Sequence, residues 1–231
     1  MRLDKFLSTL KYGSRTEIKR LCKTGKVEVN NIMVKSSDMN IDPSKDVVKI
    51  NGEIVFYKES ITLIMNKPKG YICSNVDEAY PSLLNLLQEP YNRFDFSFAG
   101  RLDQDTSGLV VLSTDGNVIH QIASPKKDMY KVYYVKTLHE VHNEVVLESP
   151  IILKDGKGEE YTTKGAKVTK LSDNELLISI CEGKFHQVKR MLEYINNKVI
   201  YLKRVKIGNL ELPNNLLEGH YIEIDPNAIF L

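Results

Sequence analysis

Residues 100–112 read Gly100-Arg101-Leu102-Asp103-Gln104-Asp105-Thr106-Ser107-Gly108-Leu109-Val110-Val111-Leu112. A tight polar loop runs straight into the apolar stretch 109–112. Apolar runs of that length after turn residues mark a strand buried in a sheet. The loop sets Asp103 at the lip of that strand with Arg101 beside it. A carboxylate aimed by a fixed cation suits a nucleophile. It is also ordinary turn chemistry, because Asp and Gly favour loops and neighbouring Arg and Asp are commonly solvated. The rest of the chain must decide.

Working upstream, residues 61–65 form a second continuous apolar strand, ending in the loop Asn66-Lys67-Pro68-Lys69-Gly70. Downstream, Asp115 is placed to cap a helix running to about Ala123, and 130–138 reads as a strong strand. Short helices are expected at 83–87 and 141–147. The segments 167–171 and 176–181 flank Ser172-Asp173-Asn174, a hairpin signal. Phe185, Val188, Met191, Leu192 and Ile195 share a helical face, and 199–207 and 221–224 are further strands. Hairpins outnumber strand–helix–strand units. The expected class is α+β, with a mixed, largely antiparallel sheet flanked by helices.

The first 58 or so residues follow a different pattern. Leu3, Phe6, Leu7 and Leu10 recur at helical spacing up to Gly13. Ser14-Arg15-Thr16-Glu17 then reads as a capping box opening a second helix, whose apolar face is Ile18, Leu21 and Cys22. Arg15, Lys19 and Lys23 form a separate basic stripe suited to phosphates. Two hairpins follow, turning at Asn30-Asn31 and Asn51-Gly52. Residues 56–60 read as a linker. Two domains are expected, 1–58 and 61–231.

The chain has 231 residues, 42% hydrophobic and 27% charged, as in globular proteins. No apolar run approaches the roughly 20 residues of a membrane helix. The polar start Met-Arg-Leu-Asp-Lys-Phe-Leu is unlike a signal peptide, so a cytoplasmic location is expected. Cys22, Cys73 and Cys181 lie far apart and read as buried or idle thiols. The histidines show no metal-ligand spacing, and no metal site is expected. The net charge of +2 hides an asymmetry: residues 1–26 hold eight Lys or Arg against two acids. A second basic stretch covers 184–206. Two basic patches on a near-neutral body point to a polyanion such as RNA, although basic faces are often merely solvated.

These residues resemble the RsuA-type bacterial ribosomal RNA pseudouridine synthases along nearly the whole chain. Residues 2–30, from Arg2-Leu3-Asp4-Lys5-Phe6-Leu7 to Gly25-Lys26-Val27-Glu28-Val29-Asn30, are similar to the S4-like RNA-binding module. Asn66-Lys67-Pro68-Lys69-Gly70-Tyr71, the segment 100–109, Lys131-Val132-Tyr133 and Glu182-Gly183-Lys184-Phe185-His186-Gln187-Val188-Lys189-Arg190-Met191 resemble four catalytic-domain signatures, in the family's order. Tyr71-Ile72-Cys73-Ser74 and Glu89-Pro90 look most like the branch acting on small-subunit (16S) RNA. The large-subunit (23S) branch is the alternative.

The resemblance implies an isomerase. The bond from uridine N1 to the sugar breaks, the base rotates, and ring carbon 5 is joined instead. That reaction needs no redox partner and no group donor, so no cofactor is expected. The implied partner is ribosomal RNA, 16S RNA or a small-subunit assembly intermediate, and the implied state a monomer. Asp103 matches the essential carboxylate, which either attacks covalently or removes a sugar proton. Lys189 matches the basic residue that pairs with it, keeping it ionised. Tyr133 matches the aromatic residue that stacks on the target base. Arg101 matches an arginine entering the RNA. Lys67 supports the loop or a phosphate. Arg2, Lys5, Arg15, Lys19, Lys23 and Arg190 are further RNA-binding candidates. Asp105 reads as a loop brace, Leu102 and Ile207 as walls, and His186 as structural. Two other classes stay open: an RNA-binding protein with an inactive second domain, and a metal-dependent transferase using Asp103 and Asp105 as a DxD pair.

Overall fold

The computed structural model of the chain describes residues 1–124 and 128–230. They form two compact units. The first gathers Met1–Ser60 with Leu87–Asp95, and the second holds the other described residues.

In the first unit, helix α1 (Leu3–Thr9) buries Leu3, Phe6 and Leu7. Helix α2 (Arg15–Lys23) opens on a capping box. The Ser14 backbone N–H donates to Glu17 Oε2 at 2.7 Å, and the Glu17 N–H returns to Ser14 Oγ at 3.3 Å. Such a cap stabilises a helix by about 1 kcal/mol. Four short strands follow: β1 (Val27–Val29), β2 (Ile32–Met33), β3 (Val48–Ile50) and β4 (Glu53–Ile54), antiparallel in the order β2-β1-β3-β4. Their turns fall where φ must be positive, at Asn30 and Asn31 (52° and 65°) and at Asn51 and Gly52 (51° and 85°). Asn and Gly tolerate that region, which fixes the register of both hairpins. Ile18, Cys22, Val27, Val29, Val48 and Ile50 join the helical leucines in one core.

Residues Leu87–Asp95 also belong to this unit, whereas from sequence they fall in the second domain. Phe94 packs on the core. Phe56 meets Tyr91 and Phe94 edge-on at 6.0 and 5.9 Å. The Arg93 guanidinium lies 4.2 Å from the Tyr12 ring centroid.

The second unit is built on a nine-stranded sheet. Its elements are β5 (Thr62–Lys67), β6 (Ser97–Ala99), β7 (Ser107–Ser113), α3 (Gly116–Ala123), β8 (Lys131–Thr137), β9 (Ile152–Lys154), β10 (Glu160–Thr162), β11 (Lys167–Ser172), β12 (Glu175–Ile180), α4 (Gln187–Tyr194), β13 (Val199–Ile207), β14 (Leu210–Glu211) and β15 (Tyr221–Glu223). The order is β11-β12-β8-β13-β7-β5-β15, with β14 on β13 and β6 on β7; β9 and β10 pair separately. Every pairing is antiparallel except β13 with β7. The α+β class read from the sequence is therefore observed. β5 and β7 are buried at every position, which is why they read as unbroken apolar runs. β8 alternates instead, turning Lys131, Tyr133 and Val135 to the packed face. The short helices expected at 83–87 and 141–147 are single 3-10 turns at Leu83–Leu86 and Glu144–Glu148.

Candidate active site

The loop between β6 and β7 carries Asp103, and three buried cations surround its backbone. Arg204, on β13, is 1% exposed. Its Nη2 donates to the Gly100 carbonyl at 2.7 Å and its Nε to the Leu109 carbonyl at 2.8 Å. One guanidinium thus ties the two ends of the loop. Lys67, on β5, is fully buried. Its Nζ donates to the carbonyls of Asp103 (3.0 Å), Thr106 (2.9 Å) and Pro68 (3.1 Å). Burial pushes the Lys67 ammonium down to about 8. Lys131 is lowered to about 8 as well, by burial and then by the charge of Arg204, and it donates to the Met129 carbonyl at 3.1 Å. Loop carbonyls removed from water need donors, and these side chains supply them. Of the two alternatives for Lys67, loop support and phosphate contact, its burial leaves the first. As an RNA-binding residue it is corrected.

The close packing extends to the main chain. Gly108 has φ +108°, and a Cβ there would lie 2.2 Å from the Arg204 carbonyl oxygen. Only glycine lets β7 and β13 approach so closely at this point.

The acidic side chains are held separately from their backbone. Lys189 of α4 places Nζ 3.1 Å from Asp103 Oδ2 and 2.7 Å from Asp105 Oδ1. Burial raises the carboxyl of Asp105, but the Lys189 hydrogen bond and charge outweigh that and hold it below the usual range. For Lys189, burial acts downward and the bonds to both acids outweigh it, so the ammonium is held above the usual lysine range. The sequence readings of Lys189 beside Asp103, and of Asp105 as a brace, correspond to this geometry.

His186 was read from sequence as structural. Here its Nε2 lies 3.4 Å from Asp103 Oδ2. It sits just before α4 in the left-handed region, φ +53°. Its ring stacks on Phe185 at 3.8 Å with an 18° interplanar angle. Nothing in the local sequence signals this, because the acid lies far away in the chain.

Asp103 opens onto a pocket of about 430 Å³. Tyr133, 7% exposed, forms one wall, in register with Ile178 and Arg204 on the neighbouring strands. Leu102, Ile180 and Leu202 complete the apolar lining, and the exposed Arg101 stands at the lip. Ile207, expected as a wall, lies instead in the core with Leu109 and Val111. An apolar slot with an aromatic face, a carboxylate and flanking cations fits a planar polar ring attached to an anionic chain.

The basic stretch 184–206 is not one patch. Strand alternation turns Arg204 inward, and Arg190 is engaged within the unit. It hydrogen-bonds the Lys154 carbonyl and lies over the Phe185 ring at 5.1 Å. That engagement revises Arg190 from an RNA contact to a support of the loop before α4. In the first unit, Arg2, Arg15, Lys19 and Lys23 line one groove, joined by Lys35, which sequence reasoning missed. Lys5 is exposed but outside that lining. Arg2 also pairs with the buried Asp4 at 2.7 Å.

The three cysteines are free and buried. Among the described residues, no helix is long and apolar enough to cross a membrane.

The family model described as RNA pseudouridylate synthase matches residues 61–194, and that described as S4 domain matches residues 1–48. The chain is 38% identical to an RNA pseudouridine synthase of Bacillus subtilis, over 100% of this chain and 98% of that one. It is 35% identical to the ribosomal small subunit pseudouridine synthase A of Haemophilus influenzae, over 99% and 98%. A crystal structure of a pseudouridylate synthase superposes with TM-score 0.69 at 34% identity, over 99% of this chain and 98% of that one.

Proposed function

The chain belongs to the RNA pseudouridylate synthase family and carries an S4 domain, and from that premise we propose that it isomerises one uridine of small-subunit ribosomal RNA, with Asp103 as the essential carboxylate. The observation that carries this reading is Asp103 itself. It stands at the mouth of a slot walled by Tyr133, with its carboxylate on Lys189 and its backbone on Lys67. The small-subunit assignment is supported by the full-length relatives, several of them named ribosomal small subunit pseudouridine synthase A.

The roles follow from the chemistry. The target base is flipped out of the RNA, and the Tyr133 face holds it by stacking. Arg101 occupies the space the base leaves. Asp103 either attacks the nucleoside covalently or removes a sugar proton, and the glycosidic bond opens. Lys189 holds Asp103 in place and balances its charge when water is excluded. The base rotates within the pocket and carbon 5 bonds to the sugar. The cationic groove of α1 and α2 holds phosphates of the same RNA by charge. The Lys189 ammonium lies on both Asp103 and Asp105, an arrangement that suits a shared counter-charge better than a DxD metal pair.

The test is pseudouridine mapping on small-subunit RNA transcripts and assembly intermediates incubated with the protein. A single new pseudouridine in 16S RNA supports the reading. Modification confined to 23S RNA transfers the enzyme to the other branch, and activity lost in chelator would favour the metal-dependent class.

A further inference from the structure

Converting uridine to pseudouridine breaks C1′–N1 and forms C1′–C5. It also moves a proton, because carbon 5 loses its hydrogen and N1 gains one. No electrons are gained or lost overall. Some group in the pocket must take the carbon 5 proton. The titratable side chains facing it are Asp103, Tyr133, Lys184, His186 and Lys189, with Asp105 behind Lys189.

Most of these are poorly suited. Asp103 is committed to the sugar or base by the reading above. Lys189 already hydrogen-bonds two carboxylates, so it has no free lone pair to offer. A phenol ordinarily titrates near pH 10. An imidazole is the side chain that accepts and releases protons around neutrality.

The placement of His186 is also unusual. Its backbone occupies the left-handed region, uncommon for a side chain with a Cβ, and such conformations gather at functional sites. The ring plane is set by the Phe185 stack, and Phe185 is itself backed by Arg190. That leaves Nε2 facing the pocket, 3.4 Å from Asp103 Oδ2.

We infer that His186 is a catalytic residue whose Nε2 takes the proton from carbon 5 after the base has been rejoined to the sugar. The imidazolium then gives that proton to solvent, and N1 is protonated from water. The inference rests on the pocket being the uridine site.

Two variants respect the backbone, since Asn and Gly both tolerate positive φ. In His186→Asn, kcat should fall by about 10²-fold or more, the range general-base groups supply, with KM little changed. The fall of kcat toward acid pH that belongs to imidazole should disappear. Uridine deuterated at carbon 5 should then show a larger isotope effect in single turnovers. In His186→Gly, added imidazole should restore turnover, while circular dichroism reports that the fold is kept. Turnover of His186→Asn close to wild type would overturn the inference. So would a loss that is uniform across pH, insensitive to deuterium and not rescued by imidazole. Wild-type protein that forms no pseudouridine in any ribosomal RNA would overturn the uridine-site reading first, and the inference with it.

Discussion

Lys67 donates its hydrogen bond to the main-chain carbonyl of Asp103, at 3.0 Å, and not to the carboxylate. The same ammonium holds the Thr106 carbonyl at 2.9 Å. Backbone and side chain of the acid are therefore fixed by different cations, Lys67 from β5 and Lys189 from α4. The loop can stay rigid while the carboxylate exchanges its partners.

Lys67 should leave a signature in the pH dependence of stability. Its value in the fold is about 8, against about 10.4 in an unfolded chain. Between those limits the unfolded chain binds the extra proton, so this residue makes stability rise with pH. The slope approaches about 1.4 kcal/mol per pH unit. Below pH 8 the full penalty is present. Lys67→Met should lack this rise, while losing about 1–3 kcal/mol for each carbonyl left without a donor. Urea titrations of both proteins at pH 7, 8.5 and 10 check the difference; parallel pH profiles would refute it.

The two acids sharing Lys189 should separate by function. Asp103→Asn should abolish pseudouridine formation and leave RNA affinity within about twofold, since the phosphate-binding charge is untouched. Asp105→Asn should retain measurable turnover, reduced by about tenfold or less, a loss of about 1.4 kcal/mol or less in barrier terms. Turnover by Asp103→Asn, or its complete loss in Asp105→Asn, would reverse the assignment.

Gly108→Ala should be among the most damaging single changes in the second unit. Its Cβ would sit 2.2 Å from the Arg204 carbonyl oxygen and 2.6 Å from the Arg204 nitrogen, at φ +108°. Backbone on both sides must move, at a cost of about 3 kcal/mol or more. Thermal unfolding decides it, and a melting point within 2–3 °C of wild type, a shift on the order of 1 kcal/mol or less, would show that the strands part easily.

The basic groove of the first unit makes a salt-dependence prediction. Replacing Arg15, Lys19 and Lys23 together by Gln should weaken RNA binding and flatten its salt dependence. The slope should lose roughly 0.7–0.9 for each phosphate contact removed. Affinity measured from low to moderate salt gives the slope, and an unchanged one would place the anchoring elsewhere.

What could be read in advance follows the range of the interactions. The capping box of Ser14 and Glu17 spans three residues, and the Asn30-Asn31 turn is set by backbone preference alone, so both were visible in sequence. The β5 and β7 strands announced themselves because both faces are buried. Lys189 was reached through motif resemblance, across 86 positions. Arg204 and Lys67 were not placed, because a lysine or arginine in a strand reads as solvated until its neighbours are known. His186 was missed for a related reason: its relevance rests on a backbone twist and a distant carboxylate. Arg190 was misread because the Lys154 carbonyl that engages it lies 36 positions away.

The first unit is assembled from two stretches of chain, Met1–Ser60 and Leu87–Asp95. Synthesis runs from the N-terminus, and domains tend to fold as they emerge. Here the leading module cannot finish until residue 95 has left the ribosome, by which time β5 of the following unit is already made. Until then, the core surface that Phe94 covers and the Tyr12 ring that Arg93 covers stay open to water or to chaperones. A truncation at residue 60 would leave the same faces bare. The RNA-binding module is thus a late-closing fold, completed by a segment translated after the second unit has begun.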